Sequence, residues 1–377
     1  VRDEQLSLRK QHVPVGVLTM RVGVSSYWFN RGQGVVGRQL RSALESLGHE
    51  TFVLARPTRE TNIKPSFVDD AGVWDQQGVT VASSYNIPGE EMLAWARDNS
   101  LDVALFDQNY QFEEVSALRE AGVRTYGRFV WEHFGAEHVE PARGAFTSVY
   151  SVTACEVERY RSLGLETPRV PWGIHPELIR EPVEADPELV RLFFPGGFMS
   201  KRKPLAGTLK AFRKAKGPEL RLVVKAQVER GVDTVRDAAR KDERIEVIAE
   251  DLPTHAHLRL FASADACLAP SRWEGLGLHL FEATALGLPI VTNDNPPMNE
   301  VVEDGRNGLL VPGKPSKQRP RSDIGSFDPD RRALTKAIES LRDSDLRANL
   351  RAGAIARREE LSWDRTVEAL SVLLETR

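Results

Sequence analysis

Trp273-Glu-Gly-Leu-Gly-Leu-His-Leu-Phe-Glu282 is the stretch whose reading decides the fold. It follows a short apolar run, Ala266-Cys-Leu-Ala269, which reads as a strand. It leads into Ala283-Thr-Ala-Leu-Gly-Leu-Pro-Ile-Val291, which ends in another. Leu278, Phe281 and Ala285 recur at helical spacing, so a helix starts near Gly277. Its first amides have no intrahelical partner and face the strand edge, a natural anion site. Glu274 lies in the loop before this helix and Glu282 lies on it. A carboxylate accepts bonds from two hydroxyls, as on a ribose or hexose. Taken alone, the two glutamates would be a helix-start charge and a solvated helix residue.

The same strand-and-helix alternation extends outward in both directions. In the second half, strands are expected at 192–194, 220–225, 245–248, 266–269, 289–292 and 308–311. In the first half they are expected at 21–26, 51–55, 79–82, 102–106, 123–131 and 148–153, with helices at 33–47, 90–99 and 113–121. Such alternation predicts two doubly wound parallel sheets covered by helices on both faces, an α/β architecture. Residues 168–187 carry five prolines and read as a linker. Residues 313–329, rich in Lys, Pro, Ser, Asp and Gly, read as a mobile surface loop. Three helices close the chain at 330–341, 343–359 and 363–375. The last carries Val367, Leu370 and Leu374 on one stripe, which must pack on something. The expected division is 14–172, a linker at 173–190, 191–360, and a terminal helix at 361–377. Residues 1–13 read as a loosely held extension.

The 377 residues contain 51 Lys plus Arg and 54 Asp plus Glu, a net charge of −3, which argues against a dominant nucleic-acid-tracking surface. Cys155 and Cys267 lie in different halves, which excludes a disulfide framework and fits a reducing compartment. No apolar run approaches the roughly 18 residues of a spanning helix, and the start lacks a signal-peptide core, so a cytoplasmic location is expected. No His and Cys cluster has zinc spacing, and Asp343-Ser-Asp345 reads as a helix cap rather than a metal site. No Gly-x-Gly-x-x-Gly opens a helix after a strand with an acidic residue about 20 positions on, which disfavours a dinucleotide-dependent dehydrogenase.

Open parallel sheets bind ligands beyond the carboxyl ends of their strands. In the second half that edge carries Gly196-Gly-Phe-Met-Ser-Lys-Arg-Lys203, Lys225-Ala-Gln227, Ala249-Glu-Asp-Leu252, the glutamate loop, and Asn293-Asp-Asn-Pro-Pro-Met-Asn-Glu300. Glycines such as Gly197 let backbone amides approach a phosphate, and lysines such as Lys225 neutralise it.

Glu274 and Glu282, with Gly277 between them and the run to Val291 after them, resemble the donor-site signature of the retaining glycosyltransferases of the GT-B fold (family four, group 1 type). Glu300-Val-Val-Glu-Asp-Gly-Arg-Asn-Gly-Leu-Leu-Val311, the Gly-His-Glu ending at Glu50, Pro171-Trp-Gly-Ile-His-Pro176 and Leu361-Ser-Trp-Asp364 extend the resemblance. It implies two Rossmann-like domains facing across a cleft, with the last helix crossing back to the first domain. The implied reaction moves a hexose-type sugar from a nucleoside diphosphate sugar to a hydroxyl acceptor with retained configuration. The acceptor would be a small molecule, a lipid-linked molecule or a glycan. A lipid acceptor would bring peripheral membrane contact. No cofactor or metal is demanded, because helix amides and cations can stabilise a leaving diphosphate.

The resemblance assigns the ribose to Glu282, sugar hydroxyls to Glu274, and phosphates and sugar to the amides of Gly275, Leu276, Gly277 and Leu278. By position Leu252 would meet the base through its backbone. The family places an Arg after the glycine that follows the first strand of this domain, and a Lys five residues later. Lys203 matches the Lys, but Phe198 stands at the Arg position. Either Lys201 or Arg202 supplies the missing charge, or the diphosphate is held differently. In the first half, Asn30-Arg-Gly-Gln-Gly34 precedes a helix. Gly32 matches the second glycine of the family loop, Arg31 replaces the first, and Gly34 follows. His133 matches a family His that touches the sugar, with Glu132 beside it, and His138 is a weaker candidate. Asp107, Gln108 and Asn109 follow another strand, either lining the acceptor cleft or shaping a turn. Trp74, Tyr85, Tyr110 and Trp131 either stack on an acceptor or pack inward. The rival readings are a sugar-nucleotide epimerase or hydrolase, and a catalytically silent sugar-nucleotide-binding subunit.

Overall fold

The computed structural model describes residues 19–59, 66–180, 183, 186–229 and 231–375. The extension expected at 1–13 lies outside the described residues. The first sheet is built from β1 (Arg21–Tyr27), β2 (Glu50–Arg56), β3 (Val79–Val81), β4 (Val103–Asp107), β5 (Arg124–Arg128) and β6 (Ser148–Tyr150). All its pairings are parallel, in the order β3-β2-β1-β4-β5-β6. The second contains β7 (Val190–Gly197), β8 (Leu220–Ala226), β9 (Ile245–Ala249), β10 (Ala266–Leu268), β11 (Ile290–Asn293) and β12 (Gly308–Val311). Its order is β12-β11-β10-β7-β8-β9, again parallel. Counted from its own first strand, the second sheet repeats the order of the first. Each therefore has a switch point, beside β1 and beside β7, where the chain reverses its direction of travel.

Most strand residues are buried because both faces of each sheet are covered, and in most strands, β5 (Arg-Thr-Tyr-Gly-Arg) excepted, they are largely apolar. In β4 every residue is buried, and alternate side chains serve different layers. Val103 and Leu105 join a core with Val36, Leu40 and Leu44 of helix Gly32–Ser46, whereas Ala104 and Phe106 join Trp95 and Val115 on the other face. In the second domain, Phe193 and Val223 point to the same core as Val36. Leu192, Phe194, Leu222 and Val224 point to a separate one with Leu209 and Phe212.

The final helix, Trp363–Glu375, closes the molecule. Leu370, Leu373 and Leu374 are buried in the core that contains Val36 and Leu40, with Val367 at its margin. The carbonyl of Leu374 accepts a bond of 2.6 Å from Arg124 of β5. Where the chain enters this helix it meets the interdomain crossing. Ile174 N–H donates to the Leu361 carbonyl at 2.7 Å, and the Trp172 and Trp363 rings meet edge-on at 5.2 Å. A further tie comes from Glu300, whose carboxylate accepts the N–H groups of Ala154 and Cys155 at 2.7 and 2.8 Å. A second-domain anion thereby caps the first-domain helix Ala154–Ser162 at its positive end.

Three expectations need correction. The strands expected at 123–131 and 148–153 are shorter: β5 ends at Arg128, and β6 ends at Tyr150, after which Ser151 forms a separate parallel bridge to Arg169. Helices Val139–Ala145 and Ala154–Ser162 were not expected; both are short and polar. Residues 313–329 are not simply a surface loop. Gly313–Pro315 and Phe327–Pro329 pair as an antiparallel hairpin, and Ser316, Ile324 and Ser326 are buried. Arg272 bonds Asp328 at 2.7 Å, and Ser322 N–H donates to the Glu132 carbonyl at 3.2 Å, which brings the loop over the cleft. No helix among the described residues is long and apolar enough to cross a membrane.

At the crossing, a Cβ on Gly173 would stand 2.6 Å from the Ser362 carbonyl oxygen, a backbone atom with little freedom to move. Gly173→Ala is therefore expected to destabilise the protein by about 1–3 kcal/mol, measured as the shift of the urea midpoint. An unchanged midpoint would show that the crossing is not packed as described.

Candidate active site

Helix Leu278–Ala285 starts one residue after Gly277, whose φ of +78° lies in the left-handed region. That turn suits glycine and leaves the first amides of the helix without a side-chain cap. The preceding loop approaches the first domain so closely that a Cβ on Gly275 would lie 2.5 Å from Val130. Trp131 then donates its indole N–H to the Glu274 carbonyl at 2.7 Å. Trp131 is therefore a buried strut between the domains.

The Glu274 side chain is 4% exposed, so its charge must be met inside the protein. Oε1 accepts from Lys203 Nζ and from Ser271 Oγ, both at 2.8 Å, and Oε2 lies 3.1 Å from Arg202 Nη1. Burial raises the carboxyl's pKa, but Arg202 and Lys203 outweigh that and hold it well below the usual carboxylate range. Burial in turn lowers the Lys203 ammonium. Lys203 also reaches His279 Nε2 at 3.3 Å. Burial and the nearby Lys203 charge push that imidazole down to about 3, so it is neutral and accepts from the ammonium. Arg202 stands between carboxylates of the two domains, 3.1 Å from Glu274 and 3.8 Å from Glu132. Burial raises the Glu132 carboxyl, and the neighbouring Glu274 adds to the effect. His133 Nε2 lies 3.5 Å from Glu132. Burial and the charges of Arg321, Arg202 and Arg59 lower His133 to about 4.

Two adjoining cavities open on this cluster. The smaller, of about 670 Å³, lies largely against the second domain. Its walls include Glu274 and Glu282, and also Gly197, Lys201, Arg202, Lys203, Lys225, Leu252 and Leu278. Glu282 faces His257, whose Nε2 is 3.7 Å from its carboxylate. Lys225 is buried and spends its ammonium on the carbonyls of Ala226 and Glu250 at the strand ends, which fixes the floor rather than offering a free charge. Lys201 is exposed at the rim. The larger cavity, of about 1140 Å³, opens mainly on the first domain. Gly275, Leu276 and Gly277 line it together with Gly32, Tyr85, Gln108, Tyr110, Glu132, His133 and His138. Gly32, Arg31, His133, Arg202, Glu274 and Leu278 border both spaces.

Some expected residues lie elsewhere. Gly34 borders neither cavity; a Cβ there would run into the Phe29 carbonyl, so it serves helix packing. Trp74 is buried against Trp28. Asp107 is buried and paired with Arg128 at 2.9 Å, and Asn109 accepts from Gln111 N–H in the following turn. Ser271, His279, Arg128 and Glu156 carry no assignment from the sequence; the last two are buried beside each other, and Arg128 beside Asp107 too. His279 stood inside the glutamate motif and Ser271 at a strand edge. Arg128 had no such signal. Asp343 accepts from the N–H groups of Asp345 and Leu346, as a helix cap does.

Residues 190–319 match the model of the family described as glycosyl transferases group 1. The match lies within the second domain, and the chain as a whole has the GT-B fold. A D-inositol 3-phosphate glycosyltransferase of Acidothermus cellulolyticus is 33% identical over 124 residues, which are 33% of this chain and 24% of that protein. An alpha-maltose-1-phosphate synthase of Mycolicibacterium smegmatis is 33% identical over 125 residues, 32% of this chain and 30% of its own length. The match thus spans a quarter to a third of each of these relatives. Among solved structures, sucrose-phosphate synthase from Thermosynechococcus elongatus superposes with a TM-score of 0.72 at 16% identity, covering 94% of this chain and 98% of its own. Anabaena HepE, solved in complex with UDP and glucose, gives 0.69 at 14% identity, over 95% of this chain and all of its own.

Removing one member of a buried ion pair strands the other charge. Lys203→Met is therefore expected to cost about 3 kcal/mol of stability and Lys201→Met less than about 0.5 kcal/mol. Chemical denaturation of both variants tests this, and equal losses would count against the burial described. His133, lowered to about 4, should be neutral throughout pH 5–8 and gain its proton only near and below pH 4. The activity profile should then show no inflection belonging to this residue between pH 5 and 8. An inflection near pH 6.5 that disappears in His133→Asn would contradict it.

Proposed function

We propose that this chain is a retaining glycosyltransferase that moves a hexose-type sugar from a nucleoside diphosphate sugar to a hydroxyl acceptor. One observation carries the reading: Glu274 and Glu282 border the same cavity, beside the uncapped start of helix Leu278–Ala285. In this reading the cavity of about 670 Å³ takes the donor. Glu282 accepts from the ribose hydroxyls and Leu252 presents its backbone to the base. The amides of Gly275 to Leu278 meet the phosphates and sugar. The larger cavity receives the acceptor. The similarity to a structure solved with UDP and glucose is consistent with such a donor.

Glu274 has a specific capacity for this work. A carboxylate offers about four acceptor positions. Lys203 and Ser271 occupy both on Oε1, and Arg202 stands against Oε2. One acceptor position on Oε2 is left for a sugar hydroxyl, with the group's geometry already fixed. Pre-orientation of this kind spares reorganisation during the reaction. In the proposed step the bond from the anomeric carbon to the β-phosphate oxygen breaks as the acceptor oxygen bonds to that carbon on the same face. The acceptor proton passes to the departing phosphate. The helix amides stabilise the charge that develops, the positive field of Lys203, itself bonded to Glu274, adds to them with no metal required, and neutral His133 orients the sugar.

Glu282→Ala should weaken nucleoside diphosphate binding by about 10-fold with little change in kcat, whereas Glu274→Ala should lower kcat by about 100-fold or more. Calorimetry and steady-state kinetics on the two variants separate these roles. Wild-type constants in both would remove the donor assignment.

A further inference from the structure

Phe198 follows Gly197 at the end of β7, and Arg31 follows β1 by a few residues, so the two sit in corresponding loops at the switch points of the two sheets. The structure brings them together across the cleft. The Arg31 guanidinium carbon lies 3.1 Å from the centroid of the Phe198 ring and 5.7 Å from that of Phe29. Arg31 Nε is buried without a hydrogen-bond partner among the described residues, and Arg31 borders both cavities. Three other cations nearby are engaged: Lys203 and Arg202 hold Glu274, and Lys225 holds two carbonyls, whereas Lys201 and Arg321 border the smaller cavity as well. The Arg31 loop is itself tied to the second domain. Asn30 donates to Asp251 at 2.8 Å, and Gln227 donates to the Asn30 carbonyl at 3.0 Å.

We propose that Arg31 is the diphosphate-binding cation of this protein, carried by the first domain and braced on Phe198, in place of an arginine at position 198 of the second. The arrangement exchanges two side chains between equivalent loops. Arginine stands where a glycine is expected, and an aromatic ring stands where a cation is expected. The ring gives the planar guanidinium a face to stack on, leaving its edge free to bond to phosphate oxygens. Arg31 borders the larger cavity as well as the smaller, whereas Glu282 and Leu252 border only the smaller, which favours contact with the β-phosphate over the nucleoside.

This proposal rests on the donor reading above, and the experiment separates their failures. The full chain is titrated calorimetrically with UDP, ADP and GDP and with the matching monophosphates. If the wild type binds none of the diphosphates, the donor reading and this proposal both fall. If one binds, Arg31→Ala and Arg31→Gln should each weaken it by about 10- to 100-fold, and weaken the monophosphate by less than about 3-fold. Arg31→Gly alone should behave the same way, while Arg31→Gly combined with Phe198→Arg should return to within about 3-fold of the wild type. Wild-type affinity for the diphosphate in Arg31→Ala or Arg31→Gln would overturn the role of Arg31 and leave the donor reading standing. So would an equal loss for diphosphate and monophosphate, or no rescue in the double variant.

Discussion

A buried carboxylate that must be neutralised governs this molecule. Glu274 is withdrawn from water at the junction of the two domains, and its charge is tolerable only because Lys203, Ser271 and Arg202 converge on it. That requirement fixes the loop after β7 against the loop after β10. Arg202 extends the constraint to Glu132, and the indole of Trp131 takes the Glu274 backbone carbonyl. One anionic side chain therefore sets the relative position of three strand edges. The net stabilisation from such a buried pair is small, since desolvation offsets most of the Coulomb attraction. Its effect is to specify one arrangement, because any other leaves a charge unpaired in a dry environment.

The same logic explains how the two domains stay in register without a large apolar interface at the cleft itself. The contacts across it are polar and directional: Asn30 to Asp251, Gln227 to Asn30, Arg202 to Glu132, and Glu300 to the start of helix Ala154–Ser162. The apolar contribution comes from behind, where the terminal helix covers Val36 and Leu40 and the crossing chain packs Trp172 on Trp363. An apolar core at the back and polar contacts at the front leave charged groups lining the cleft, which suits a hydrophilic ligand.

Much of this was legible in the residue pattern because the strands are apolar runs bounded by glycine and charge. The switch-point loops announce themselves by the residues that follow each run. Spacing put both acids near one helix start, and the family resemblance, not the spacing, marked them as a donor site. What escaped depends on partners distant in sequence. Helix Ala154–Ser162 has four charged residues in nine, and only Cys155, Glu156 and Tyr160 are buried, so its periodicity is weak. Its Thr153 and Glu156 capping box was a readable signal, whereas the cap from Glu300 was not. Arg128 inside β5 meets Asp107 and Glu156, neither of which a local window can pair with it. Residues 313–329 have the composition of a solvated loop, yet Arg272 and Asn293 bind them from elements read as separate.

Position 198 shows the same limit from the other side. A sequence compared position by position registers only that a cation is missing there, and its immediate neighbours Lys201 and Arg202 are the natural substitutes. The fold weighs against the simpler answer, since Arg202 is committed to two carboxylates and Lys201 stands at the exposed rim of the smaller cavity. The repeated topology of the two sheets offers another route. Loops equivalent by topology meet face to face across the cleft, so a charge missing from one can be replaced from the other at nearly the same point in space. The two solutions differ in one physical respect. A cation on the donor domain attracts phosphate whether the cleft is open or shut. A cation on the opposite domain adds its attraction only when the cleft is shut, so on this geometry the diphosphate itself would favour the closed arrangement by the whole of its interaction with Arg31.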